Sequence, residues 1–99
     1  MKEREYRARS EQGKFSPEQL LELEDDLRRL VDKREKTTEE LTQELVKNCG
    51  WKREKVFGPR PYVYETLEDL EKEGVIESRY KVVDSGFSVV TYWKITSQG

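Results

Sequence analysis

The segment EGVIESRYKVVDSGFSVVTYWKIT, from Glu73 to Thr96, decides the fold, because it is the most β-rich part of a very polar chain. Two runs of alternating apolar and polar residues flank Asp84-Ser85-Gly86, where Gly86 is free to take a positive φ angle. The pattern therefore predicts an antiparallel hairpin over residues 76–96. Each strand has one predominantly apolar face, with Tyr80 and Val82 in the first strand and Phe87, Val89, Thr91, Trp93 and Ile95 in the second.

Helix signals precede the hairpin. The first helix, Ser16–Arg34, opens with a capping box and carries a leucine-rich stripe that packs onto its own domain or forms a dimer seam. The second begins at a cap supplied by Thr37 or Thr38 and stops at Gly50. Pro59 and Pro61 interrupt helix formation, which predicts a loop over residues 52–60, and a third helix spans residues 61–73. The fold class is therefore α+β, with three helices followed by a hairpin.

Composition sets the expected organisation and location. The chain of 99 residues is 33% hydrophobic and 40% charged, enough for one modest core. We expect residues 1–15 to form a flexible basic arm, either a solvated tail or a segment that reaches phosphates, and residues 16–99 to form the domain. An apolar span and an N-terminal leader pattern are both missing, which predicts a soluble, cytoplasmic protein, or a nucleoid-associated one if it binds DNA.

The residues that support catalysis are scarce. Cys49 is the single cysteine, so an internal disulfide is excluded, and we expect it to be a small buried hydrophobe. The chain has no histidine, which removes Cys–His and Ser–His pairs and the common zinc ligand sets. The glycines stand singly and form no phosphate-binding loop. We therefore expect neither an enzyme nor a bound metal or cofactor.

Charge is distributed in blocks that the net charge of −2 conceals. Residues 52–60 are basic, whereas the helices on either side are acidic. In the third helix, placing Val63, Leu67 and Leu70 inward leaves a mostly acidic outward face. That face comprises Glu65, Glu68, Asp69 and Lys72.

The segment LEDLEKEGVIESRYKVVDSGFSVVTYWKITSQG, Leu67 to Gly99, resembles the winged helix–turn–helix domain of PadR- and MarR-like transcription regulators. The likeness rests on a helix that ends in a leucine, charged residues and a glycine, followed by a hairpin that closes with Tyr92-Trp93-Lys94-Ile95-Thr96 and Gly99. The resemblance implies that helix 61–73 enters a DNA major groove while the hairpin, as the wing, lies against the backbone.

Two functions follow, and DNA binding in transcription regulation is preferred. Winged helices also serve as protein-interaction modules in larger assemblies, which is the alternative. A homodimer through the first helix is expected for a DNA-binding protein. The basic stretch can equally be a solvated loop, and Tyr62 and Tyr64 can be half-buried packing residues. The candidate contacts to double-stranded DNA are Lys52, Arg53, Lys55, Arg60, Tyr62, Tyr64, Thr66, Arg79 and Lys81.

Overall fold

The computed structural model describes residues 15–86 and 88–96. Residues 1–14 of the predicted arm, Phe87 and the closing Gly99 lie outside the described residues. Within the described part, helices and strands form one α+β fold. The elements are α1 (Pro17–Leu30), β1 (Lys36–Thr37), α2 (Thr38–Cys49), α3 (Arg53–Val56), α4 (Tyr62–Lys72), β2 (Ile76–Val83), a 3-10 turn (Asp84–Gly86) and β3 (Ser88–Ile95).

The first helix begins as predicted and ends earlier than predicted. The Ser16 hydroxyl accepts a hydrogen bond from the Gln19 backbone N–H, and the Gln19 side chain accepts one from the Ser16 N–H, which completes the capping box. The helix ends at Leu30 rather than Arg34, because Val31 takes an extended conformation and buries its side chain. The Lys36 ammonium donates a hydrogen bond of 2.8 Å to the Leu30 carbonyl. This carbonyl is one of those at the helix end that have no partner within the helix.

The second helix is capped by Thr37. Its hydroxyl accepts from the Glu40 N–H over 3.0 Å, and the Glu40 carboxylate accepts from the Thr37 N–H over 2.8 Å. Gly50 ends the helix at a φ of 76°, a left-handed conformation that glycine adopts without strain. Beyond it, the predicted loop contains the single helical turn α3, and its chain then reaches α4 through Pro59 and Pro61.

The three strands form an antiparallel sheet in the order β1-β3-β2. The hairpin predicted over residues 76–96 is confirmed, with pairs running from Ile76↔Ile95 to Val83↔Ser88. Its turn places Gly86 at a φ of 97°, the positive value that the sequence predicts. The two-residue strand β1 was not predicted; Lys36 pairs with Trp93 and Thr37 with Tyr92.

The core lies between α1, α2, α4 and the base of the hairpin. Leu23, Leu27 and Val31 of the predicted stripe are buried, while Leu20 and Leu30 pack partly buried against the core. The stripe therefore packs within its own domain. The homodimer through the first helix stays a prediction. On α1, Leu21 is an exposed large hydrophobic side chain that such a dimer interface could bury. None of the helices in residues 15–86 and 88–96 is long and apolar enough to span a bilayer.

Two aromatic residues tie the layers together. Phe15, which the prediction placed at the end of the arm, is 1% exposed and lies with its ring centroid 4.5 Å from that of Tyr62. Trp93 of β3 is equally buried, and its indole N–H donates to the Thr38 hydroxyl over 2.8 Å. The Trp93 ring also meets Tyr64 edge-on at 5.6 Å. The hairpin base is thereby anchored to both α2 and α4.

Candidate interaction surface

One face of the hairpin is buried at its base and exposed toward its tip. Residues that pair directly across an antiparallel ladder project from the same face of the sheet. The register therefore puts Tyr80, Val82 and Val89 on the same face as the buried Trp93. These three side chains are nevertheless 71%, 53% and 60% exposed. We call Tyr80, Val82 and Val89 the apolar hairpin face.

The outward side of α4 is acidic and adjoins this face. Val63, Leu67 and Leu70 are buried, as predicted, while Glu68 and Asp69 are exposed beside Lys72. The Glu71 carboxylate accepts a hydrogen bond of 2.7 Å from the Ser78 hydroxyl, and Ser78 projects from the same sheet face as Tyr80. The hydrogen bond thus places Glu71 of α4 beside the base of the apolar hairpin face.

A groove runs along the junction between the helices and β3. Its first part, a cavity of about 500 Å³, lies between the start of α2, Tyr64 and residues 89–91. Its second part, of about 530 Å³, is lined by Val56, Phe57 and Val63. Thr38, Glu39 and Tyr64 border both cavities, so the two parts of the groove adjoin at these residues.

The three cations at α3 divide between two places. Arg53 borders the groove, and its guanidinium lies 4.5 Å from the centroid of the Phe57 ring. Lys52 and Lys55 instead line a separate cavity of about 350 Å³ beside α1. Within the described part of the chain, no carboxylate lies within salt-bridge distance of any of the three. These side chains remain available to an external anion.

Two of the remaining predicted cations are held by carboxylates. The Arg79 guanidinium donates two hydrogen bonds to Glu35, at 2.5 and 2.7 Å, and these bonds lower the pKa of the Glu35 carboxyl. Arg60 lies 3.4 Å from the Glu65 carboxylate and 5.1 Å from the Tyr62 ring.

Lys81 is exposed and forms no salt bridge with the described residues. The pair Lys81↔Val90 is offset by one residue from Tyr80↔Thr91, so Lys81 and Arg79 point to the face opposite Tyr80.

The uncharged candidates for DNA contact lie wholly or partly inside the fold. Tyr62 is 6% exposed and Thr66 is 8% exposed, whereas Tyr64 is half-buried against Trp93. Tyr62 and Tyr64 thus pack inside the fold, and their contact with DNA stays a prediction. Tyr62 and Thr66 are one helical turn apart and lie next to Val63 and Leu67 on the helix surface. The sequence spacing therefore indicates that the buried side of α4 is wider than the stripe of Val63, Leu67 and Leu70 alone. The nine predicted contact residues do not form one surface.

Cys49 at the end of α2 is a packing residue. Cys49 is half-buried and packs against the core, and burial raises the pKa of its thiol. Among the described residues, no group of three or more cysteine and acidic side chains is placed to hold a metal ion.

Sequence reasoning missed that the apolar hairpin face is exposed. Alternation shows that side chains share a face, but it does not show how far along the hairpin the helices reach. The register identifies the exposed part, because Tyr80 and Val82 lie beyond the pair that contains Trp93. Comparison of the chain with protein-family models, curated proteins and solved structures gives no match.

Proposed function

We propose that the chain is a winged-helix domain that acts as a protein-interaction module. The element order supports the fold: a helix, a short strand, three further helices of which one is a single turn, and a hairpin, with the short strand β1 lying against β3. In this interpretation α4 occupies the place of the recognition helix and residues 76–96 form the wing. The proposal of function rests on one observation, the exposed apolar hairpin face beside the acidic side of α4.

The apolar half of this surface gains free energy when a partner covers it. Val82 and Val89 pair directly across the strands, so one partner side chain can contact both. Removing a valine side chain fully from water contributes about 1.5–3 kcal/mol, before the entropy of association is subtracted. Contiguous exposed apolar side chains bordered by polar residues are typical of protein interfaces.

The charged half selects the chemistry of the partner. Glu68, Asp69 and Glu71 repel the phosphates of DNA and attract lysine and arginine side chains. The cations of the hairpin do not offset this charge, because Arg79 points to the opposite sheet face and is paired with Glu35. The partner is therefore a protein that presents apolar and basic side chains together.

A capture experiment followed by reconstitution tests this function. The full chain is used as bait beside Tyr80→Ser with Val82→Ser, and each captured protein is purified and titrated separately. We expect the double variant to weaken binding at least about tenfold, the equivalent of 1.4 kcal/mol. Leu21→Ser is the matched control, because Leu21 is 65% exposed on α1, away from this surface. Equal binding by all three proteins would refute the proposal.

DNA binding is the second candidate, and the unpaired cations of α3 favour it. Lys52, Arg53 and Lys55 form no salt bridge with the described residues and can bind phosphates. Fluorescence polarisation with random duplex DNA at low salt measures the affinity, which Lys52→Ala with Lys55→Ala should reduce. An increase in affinity from Glu65→Gln with Glu68→Gln would support docking of α4 in the major groove, as in PadR- and MarR-like regulators.

A further inference from the structure

The tip half of β3 has an open edge on the side where β1 lies. β1 pairs only with Tyr92 and Trp93 of β3. The Ile95 N–H donates to the Asp32 carbonyl on the β1 side, and the Thr96 N–H donates to the Val75 carbonyl on the β2 side. Backbone groups alternate in direction along a strand, so odd-numbered residues of β3 face the β1 side.

Val89 and Thr91 therefore direct their N–H and C=O groups toward this edge. The described residues place no strand against them there, because the chain leaves β1 after Thr37 and enters α2. The even-numbered residues of β3 direct their N–H and C=O groups to β2 instead. The edge is thus a row of backbone donors and acceptors in a strand whose extended conformation is fixed by its pairing with β2.

This edge opens onto the first part of the groove rather than onto a flat surface. Val89 and Thr91 form one wall of the cavity of about 500 Å³, and Thr38, Glu39 and Tyr64 form the other. A strand lying beside β3 would place alternate side chains into this cavity. Glu39 at its rim accepts a hydrogen bond of 3.4 Å from the Gln43 side chain at one carboxylate oxygen. It has no salt-bridge partner among the described residues, so its other oxygen can accept from a cation.

We propose that β3 receives an extended segment of the partner protein as an added strand at Val89 and Thr91. The inference rests on the proposed protein-interaction function and specifies its mode. Main-chain hydrogen bonds supply the affinity, as in other cases of strand addition, and the groove selects the side chains. On the face of the segment that enters the cavity, apolar residues contact Tyr64 and the side chain of Val89, and a lysine or arginine residue on the same face pairs with Glu39.

A defined peptide provides the first test. The probe is Thr-Val-Thr-Lys-Thr-Val-Thr, capped at both ends, in which the two valines and the lysine share one face. It is compared with a version in which alternate backbone nitrogens are methylated. On the full chain, we expect the unmodified peptide to slow amide hydrogen exchange at Val89 and Thr91 about tenfold, since these N–H groups gain acceptors. The version methylated on its bonding edge should bind at least about tenfold more weakly. Equal binding by both peptides, or no binding at millimolar concentration, would overturn strand addition.

A matched pair of proline variants distinguishes strand addition from the proposed protein-interaction function on which it rests. Val89→Pro and Val82→Pro remove the same side chain from one cross-strand pair and one sheet face. Only Val89→Pro deletes an N–H from the edge that faces the groove, because Val82 directs its N–H to the outer edge of β2. We expect Val89→Pro to weaken peptide binding at least about tenfold relative to Val82→Pro.

Each other outcome has a distinct meaning. Equal losses in the two variants would refute strand addition while leaving an interaction through the apolar hairpin face. No loss in either variant would count against both the mode and the proposed function. Self-association that Val89→Pro abolishes, measured by sedimentation without peptide, would show that a second copy occupies the edge and would also overturn the proposal. If Val89→Pro fails to fold, the methylated peptide still decides, because it needs no variant.

Discussion

Substitution of Thr38 by valine tests whether the hydrogen bond from Trp93 anchors the hairpin to α2. Thr38→Val keeps the shape of the side chain and removes the acceptor of the indole N–H, which now lies 2.8 Å from the hydroxyl oxygen. Trp93 is 1% exposed, so its N–H has no direct route to bulk water. The valine variant therefore leaves a buried donor without a partner.

The expected cost follows from that unpaired donor. A buried N–H that loses its acceptor costs about 1–3 kcal/mol, and the added methyl group of valine returns part of this. We expect a net destabilisation of about 1–2 kcal/mol. In a chain of 99 residues, each kcal/mol lowers Tm by about 4–8 °C. Urea unfolding followed by tryptophan fluorescence and circular dichroism measures the difference.

Thr42→Val is the matched control, one turn further along the same helix. The Thr42 hydroxyl donates to the Thr38 carbonyl within the helix, and Thr42 is 4% exposed. Its removal deletes a buried hydroxyl without leaving a buried donor unpaired, so we expect a change below about 0.5 kcal/mol. In a Trp93→Phe background, Thr38→Val should become nearly neutral. A full cost of Thr38→Val in that background would refute the anchoring role.

Three further predictions concern a cap, a turn and an ion pair. Thr37→Ala should destabilise the protein by about 1 kcal/mol through loss of the capping box, and Thr37→Ser should restore most of it, as measured by urea unfolding. Gly50→Ala should cost about 1–2 kcal/mol because the residue has a φ of 76°, even though nothing lies within 4 Å of a Cβ there; an unchanged midpoint would contradict a left-handed cap. Arg79→Ala should raise the pKa of Glu35 to its ordinary range, as followed by NMR titration of the carboxyl carbon. Because Arg79 lowers that pKa in the folded state, the linked stabilisation is present above the ordinary glutamate pKa and is lost as the pH falls through the lowered value. A Glu35 titration that does not respond to Arg79→Ala would contradict the pairing.

The elements that the sequence predicted correctly are those with local signals. The capping boxes at Ser16 and Thr37 mark helix starts through residues three positions apart. Gly50 and Gly86 mark a helix end and a turn through backbone conformations that need no distant partner. Period-two alternation gave the hairpin, because each strand is long enough to repeat the pattern.

What the sequence could not supply depends on contacts between distant segments. β1 is two residues long and has no pattern of its own; it exists because Lys36 and Thr37 meet Trp93 and Tyr92 across the sheet. The early end of α1 follows from the path that the chain takes to reach that pairing. Tyr62 packs against Phe15, which lies far away in the sequence, and this contact contributes to its burial. The groove combines α2, α4 and β3, so only the assembled fold reveals it.

The two candidate functions differ in how the cations are employed, and this difference predicts a salt dependence. Arg60, Arg79 and Lys94 each lie within 4.0 Å of a carboxylate, so phosphate binding by them first requires breaking an internal ion pair. The unpaired cations at α3 number three. At about 0.9 counterions released per phosphate contact, a slope of log affinity against log salt of about −2.7 is the steepest that these three cations support. A much steeper slope would require cations outside α3 and would favour a DNA-binding surface built around the hairpin. A slope near zero for DNA, together with salt-sensitive binding of the lysine-containing peptide through Glu39, is the pattern that the protein-interaction function predicts.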